Sequence, residues 1–216
     1  MGAIARSAAN NITTSGVFTS SAIANSSVTG ITVLANASDG ITLISSQTAS
    51  NSASISFTSG LTSTYKAYKF VFSNIHPASD TQYFRFQGST DSGSNYGVAL
   101  TSTVFRNRHK EDGNNGEVTY ESSDDLSQST SFQTLGLYTG GDADQSSSGT
   151  LMLFNPSSTT YVKHFISDVN VAAFDDSTIN YKCAGYFNTT SAINALRFKM
   201  DSGNIESGII YLYGIK

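Results

Sequence analysis

The sequence predicts an all-β fold, an antiparallel β-sandwich over residues 51–216 preceded by an extended segment over residues 1–50. Three observations carry this expectation. Apolar residues alternate at a period of two in many short runs, the spacing of a strand with one buried face. Gly, Asn and Asp separate those runs, and these residues favour turns. No long stretch repeats at the 3.6-residue period of a helix.

The strands are legible in order. Ile55-Ser56-Phe57 alternates, and Tyr68-Lys69-Phe70-Val71-Phe72 places three aromatic rings on one face. Phe84-Arg85-Phe86 alternates with Tyr83 and Gln87 on the other side. Short strands are expected at Val118 to Tyr120 and Phe132 to Tyr138. The apolar run Leu151-Met152-Leu153-Phe154 ends at Asn155-Pro156. Separate strands are expected at Tyr161 to Ser167, Val169 to Ala173 and Tyr181 to Phe187. Leu196-Arg197-Phe198-Lys199-Met200 alternates apolar with cationic. The turn Asp201-Ser202-Gly203-Asn204 then leads to a last strand, Gly208 to Lys216, whose side chains are apolar on both faces. A strand of that kind is expected to be central in its sheet or to lie at a subunit contact.

The first fifty residues differ in character. They hold no charged residue between Arg6 and Asp39, and their apolar residues are sparse and dispersed. Such a segment cannot bury enough apolar surface to form a core within one chain. It is expected to order against copies of itself or a larger assembly, through Ile4, Val17, Phe18, Ile23, Val28 and Ile31. A second region, Arg106 to Ser148, reads as a polar insertion of long loops on the sandwich, where binding residues concentrate.

Composition narrows the function. Of 216 residues, 13% are charged, about half the roughly 25% usual in globular domains. The formal net charge of -4 disfavours nucleic acid as a main partner. No apolar run approaches the ~18 residues of a membrane span, so no membrane insertion is expected. The lone cysteine, Cys183, permits no intrachain disulfide and reads as a small buried apolar residue. The three histidines, His76, His109 and His164, lack a second His or Cys at ligand spacing, so no metal site is expected. The pairs Asp124-Asp125, Asp142/Asp144 and Asp175-Asp176 are the candidate carboxylates for glycoside hydrolysis. Adjacent residues on a strand point to opposite faces, however, and turn-capping is the simpler role. No nucleophile-elbow pattern is present. The chain therefore reads as a non-enzymatic binding or structural module without a cofactor. Its candidate ligand residues are Tyr96, Arg106, Arg108 and Tyr120: arginine pairs bidentately with carboxylates or phosphates, and tyrosine offers a flat face with a hydroxyl.

Particular stretches also resemble a family. Gly2-Ala3-Ile4-Ala5-Arg6 with Asn11 to Phe18 is similar to the start of small virion proteins of tailed bacteriophages, marine and cyanobacterial ones in particular. Phe198 to Ile205 followed by Gly208 to Gly214 resembles the last hairpin of phage fibre and adhesin β-sandwiches, and Tyr68 to Ile75 with Gln87 to Tyr96 resembles the same set. The resemblance implies a homotrimer with a thin N-terminal attachment segment, held by other virion proteins, and a jelly-roll-like head. It places the chain on the tail or capsid exterior. A short tail fibre or adhesin facing a host surface glycan is the first expectation. A capsid decoration or tail-assembly protein without a host ligand is the second, and a carbohydrate-binding module the third.

Overall fold

The computed structural model describes residues 40–114 and 116–216. The attachment residues Ile4, Val17, Phe18, Ile23, Val28 and Ile31 lie outside the described residues. The described chain forms strands and turns without a helix. In chain order the strands are β1 (Ile41–Ser52), β2 (Ile55–Phe57), β3 (Ala67–Pro77) and β4 (Gln82–Ser89). Then come β5 (Leu100–Lys110), β6 (Glu117–Tyr120), β7 (Gln133–Thr139) and β8 (Ser147–Phe154). The last four are β9 (Lys163–Ala173), β10 (Ser177–Phe187), β11 (Ala195–Met200) and β12 (Ile205–Ile215).

All pairings are antiparallel and make two layers. One runs β1-β12-β3-β8-β9-β10-β5-β6, the other β7-β4-β11-β2. The pair Thr139–Ala173 joins them, where β7 meets β9. Between the layers the inward side chains interdigitate. Phe198 of β11 lies 5.3 Å from both Phe70 and Phe72 of β3, and Phe86 of β4 lies 5.0 Å from Phe165 of β9. Most of these contacts are edge-to-face or tilted, the geometry the ring quadrupole favours. The expected antiparallel sandwich is therefore present, with Tyr68, Phe70 and Phe72 all buried on one face of β3. Leu196, Phe198 and Met200 likewise point inward, while Arg197 and Lys199 point out.

Four details differ from the expectations. The sheet begins at Ile41, so the boundary at residue 50 falls inside β1, which pairs along its length with β12. The two strands expected on either side of Asp168 are one strand, β9, with Asp168 facing solvent on its outer side. The region Arg106 to Ser148 is not a loop insertion: it contains the end of β5, all of β6 and the buried strand β7. The last strand is central, between β1 and β3, but of its large apolar residues Ile205, Ile210 and Leu212 reach the core, while Ile209, Tyr211, Tyr213 and Ile215 lie half-buried on the outer face.

The two outer faces are unlike. Loops cover that of the four-stranded layer: Gln87 donates to the carbonyls of Thr130 and Ser131 at 3.1 and 2.9 Å, and the Lys199 ammonium lies 5.1 Å from the Phe132 ring centre. The eight-stranded layer carries no such covering among the hydrogen bonds of the described residues.

Candidate functional site

Strand alternation decides which side chains of β5 are available. Its outward residues are Thr101, Thr103, Phe105, Asn107 and His109, because Leu100 and Val104 are the buried ones. In register, Asn107 stands beside Asn180 of β10, which stands beside Asn170 of β9. One row further out, His109 stands beside Thr178, and Thr178 beside Ala172. The β7–β8 turn, with Asp142 and Asp144, walls this surface on one side, and Glu111 and Asp176 close its end. The result is a cleft of about 580 Å³. It shares His109 and Thr178 with a neighbouring hollow of about 350 Å³ that includes Asn107 and Asn180.

The cleft lining combines the amides of Asn170 and Gln145 and the hydroxyls of Ser177 and Thr178 with His109 and Lys110, and carboxylates stand at the rim. Thr178 donates to the Asn170 side chain at 2.9 Å, and Asn180 donates to Asp168 at 2.5 Å. Gln145 braces the turn by accepting from the Asp142 backbone N–H at 3.2 Å and donating to the Ala173 carbonyl at 3.2 Å. His109 and Asn107 make no side-chain hydrogen bond among the described residues, so His109 presents free capacity to the cleft and to the adjoining hollow, and Asn107 to the hollow.

The four candidate ligand residues are not brought together. Arg106 and Arg108 lie on the opposite face of β5 from His109. Arg106 is ion-paired to Glu117 at 2.7 Å and to Glu121, and its guanidinium is largely buried. Burial works against its charge, and the two glutamates outweigh that, so its pKa rises above the ordinary arginine value. Arg108 is ion-paired to Asp175 and donates to the Ser177 hydroxyl at 3.0 Å. Lys110 lies 3.4 Å from the same carboxylate. Both arginines thus fasten the end of the sandwich through ion pairs, and Arg108 also lines the hollow beside Asn107. Tyr96 lies elsewhere, under the Arg197 guanidinium at 3.9 Å from its ring centre, on the outer face of the other layer. Tyr120 is exposed, on β6, with its hydroxyl bonded to Asp125, a contact that raises its pKa.

The carboxylate pairs also part. Asp124 accepts from the buried Tyr181 hydroxyl at 2.8 Å, while Asp125 bonds Tyr120. Asp175 is neutralised by Arg108 and Lys110, and Asp176 sits in the β9–β10 turn at a φ of 57°. Asp142, Asp144 and Asp176 face the open cleft, and among the described residues no group of three or more His, Cys, Asp or Glu is placed to hold a metal ion. His164 packs beside Tyr186 on the outer face, 5.8 Å between ring centres. His76 is tied to the Gln145 carbonyl at 2.7 Å and to Glu206 at 3.2 Å. Cys183 is buried in the core, and desolvation there pushes its thiol pKa up, which suppresses the nucleophilic thiolate.

The signal for the cleft residues was present in the sequence, one position away from the residues chosen. Arg106 and Arg108 drew attention by charge; Asn107 and His109 between them are the outward pair. Comparison with family models, with curated proteins and with solved structures finds no match to this chain.

Proposed function

We propose that this protein is a non-enzymatic attachment protein, the head of a short fibre or adhesin on a tailed-phage particle, acting as a homotrimer. Its cleft takes a hydroxyl-rich ligand, a host surface glycan. The resemblance of Phe198 to Ile205 with Gly208 to Gly214, and of Tyr68 to Ile75 with Gln87 to Tyr96, to fibre and adhesin sandwiches supports the virion setting. The observation that carries the ligand is the row of outward amides, Asn170 in the cleft with Asn180 and Asn107 in the adjoining hollow, flanked by His109, Thr178 and the rim carboxylates of Asp142 and Asp144.

The chemistry follows from the donor and acceptor inventory. An Asn side chain both donates and accepts, so two amides across adjacent strands match the alternating roles of vicinal sugar hydroxyls. Carboxylates accept from hydroxyls in short charge-assisted bonds. No reaction is assigned to the site, because its role is to retain and orient a ligand.

Glycan-array binding by the full chain tests the reading. Asn107→Ala with His109→Ala should abolish the array signal and reduce adsorption to host cells, with the melting temperature unchanged. Retained binding by that double variant overturns the cleft assignment. Absence of any glycan signal from the wild-type chain, together with adsorption that ignores the protein, favours the capsid-decoration or tail-assembly role.

A further inference from the structure

Beside the cleft, the outer face of β5 and β6 carries an aromatic shelf. Phe105 is in register with Tyr120, and Asn107 with Val118. Paired residues of an antiparallel ladder stand on the same face, so Tyr120 and Val118 point outward with Phe105 and Asn107. Phe105 is 47% exposed, Val118 79% and Tyr120 62%. On the other side of β5, Lys182 of β10 stands beside Phe105 and Asn180 beside Asn107. The two amides of the hollow therefore have an aromatic ring one outward position away, about 7 Å along the strand.

The shelf is anchored and its surroundings are neutralised. The Tyr120 hydroxyl is bonded to the Asp125 carboxylate, which fixes the far end of the ring. Lys182 is ion-paired with Asp168, and Arg108 and Lys110 are both paired with Asp175, so these cations around the hollow are spent on carboxylates. Asn180 directs its amide nitrogen to Asp168 at 2.5 Å and to the Val169 carbonyl at 3.5 Å, which leaves its amide oxygen to accept. Strand addition does not account for the exposed rings. β6 is an edge strand of 4 residues, and short edges recruit another strand poorly.

We infer that Phe105 and Tyr120 are the stacking platform of this site and that its ligand is a neutral β-linked pyranoside with equatorial hydroxyls, an inference that rests on the glycan reading above. Such a sugar carries hydroxyls around its edge and C–H groups on its faces. Its edge meets Asn107 and Asn180, each able to bond a hydroxyl, while a C–H face lies on the rings. The face has to be flat, because an axial hydroxyl would be pressed against a ring and lose its hydrogen bonds to water. The same geometry selects against sugar acids. Glu111, Asp142, Asp144 and Asp176 border the adjoining cleft, and none of the four is ion-paired among the described residues, so a sugar carboxylate would meet like charge.

The test titrates the full chain by isothermal calorimetry with cellotetraose, and with its oxidised counterpart in which every C6 is a carboxylate. The wild-type protein should bind cellotetraose and should bind the oxidised form about tenfold more weakly or worse. Phe105→Thr with Tyr120→Thr should weaken cellotetraose binding about tenfold or more, with an unchanged circular dichroism spectrum, since threonine suits an exposed strand position. Swapping the rings, Phe105→Tyr with Tyr120→Phe, should recover most of that affinity. Both variants lack the bond from Tyr120 to Asp125, so recovery reports the rings themselves. Undiminished binding by the threonine variant overturns the inference, as does failure of the swapped rings to recover it. Suppose a glycan array shows a wild-type ligand that is lost in Asn107→Ala with His109→Ala, while cellotetraose fails to bind or the oxidised form binds as well. The inferred ligand class is then overturned and the cleft reading stands. A wild-type chain that binds no glycan overturns both.

Discussion

Phe198 sits where the two layers meet, within 6.4 Å of five other phenylalanine rings from β2, β3 and β4. Replacing it by Ala removes contacts on both sides at once, and a densely packed interior cannot collapse around the gap. We expect Phe198→Ala to cost about 3–5 kcal/mol in urea denaturation. A second residue-scale case is polar. Tyr181 is buried and donates to Asp124, so Tyr181→Phe leaves a carboxylate oxygen without its donor. The expected loss is about 1–3 kcal/mol by the same measurement. The third concerns acid. Asp91 accepts from the Ser89 hydroxyl at 2.6 Å, and from the Asn95 backbone and side-chain N–H groups at 2.9 and 2.7 Å. Those bonds favour its charged form and hold its pKa down at about 2. A depressed carboxylate stabilises the fold above its ordinary pKa of 3.8, and that contribution is lost as pH falls toward 2. Carbon-detected NMR titration of the Asp91 carboxyl should show a midpoint near 2, and Ser89→Ala should raise it.

At the scale of elements, the strands that pattern reveals are those whose inward residues are large and apolar. β3, β4 and β11 announce themselves because Phe and Tyr alternate with cations and small polar residues. β5 does not, because beyond Val104 its inward residues are Arg106, Arg108 and Lys110, which extend past the core and find carboxylates instead of apolar partners. Charge at alternate positions reads as a loop when the partners are distant in sequence: Asp175 is 67 residues from Arg108. Arg106→Ala with Arg108→Ala should destabilise the protein measurably, since it strands Glu121 and Asp175 with few other partners. Thermal unfolding should show a clear drop in Tm, larger than for Asn107→Ala with His109→Ala on the opposite face of the same strand. β10 shows a different constraint. A Cβ at Gly185 would lie 2.4 Å from the Thr101 carbonyl and 2.8 Å from the Phe165 ring. Gly185→Val should therefore unfasten β5 from β10, which hydrogen exchange would register as lost protection in both strands.

For the whole molecule, closure of the sheet depends on its two ends in sequence. β1 pairs with β12, and β12 with β3, so the fold is not complete until the last strand has joined the first. Two truncations separate the contributions. Removing residues 1–39 keeps β1, and the sandwich should unfold cooperatively as the full chain does. Removing residues 1–50 strips most of β1 from the edge of β12 and exposes a long strand edge, which invites aggregation. The second truncation should be markedly less soluble by light scattering, and equal solubility of the two would show that β1 is dispensable.

The sequence by itself determined the all-β class, the inward faces of β3, β4 and β11, and the burial of Cys183. Each follows from local alternation, which needs only a strand's two-residue period. It also held the short strands β6 and β7, though the burial of β7 was not legible. Tertiary structure decided the rest. It extended the sandwich back to Ile41, because the partner of β1 is a strand more than 150 residues away. It paired Arg106 and Arg108 with Glu117, Glu121 and Asp175, because those carboxylates lie on other strands and loops. It placed Asn107, Asn170 and Asn180 in one row and set Phe105 beside Tyr120 in the next, because register between strands is a property of the assembled sheet and not of any stretch of chain.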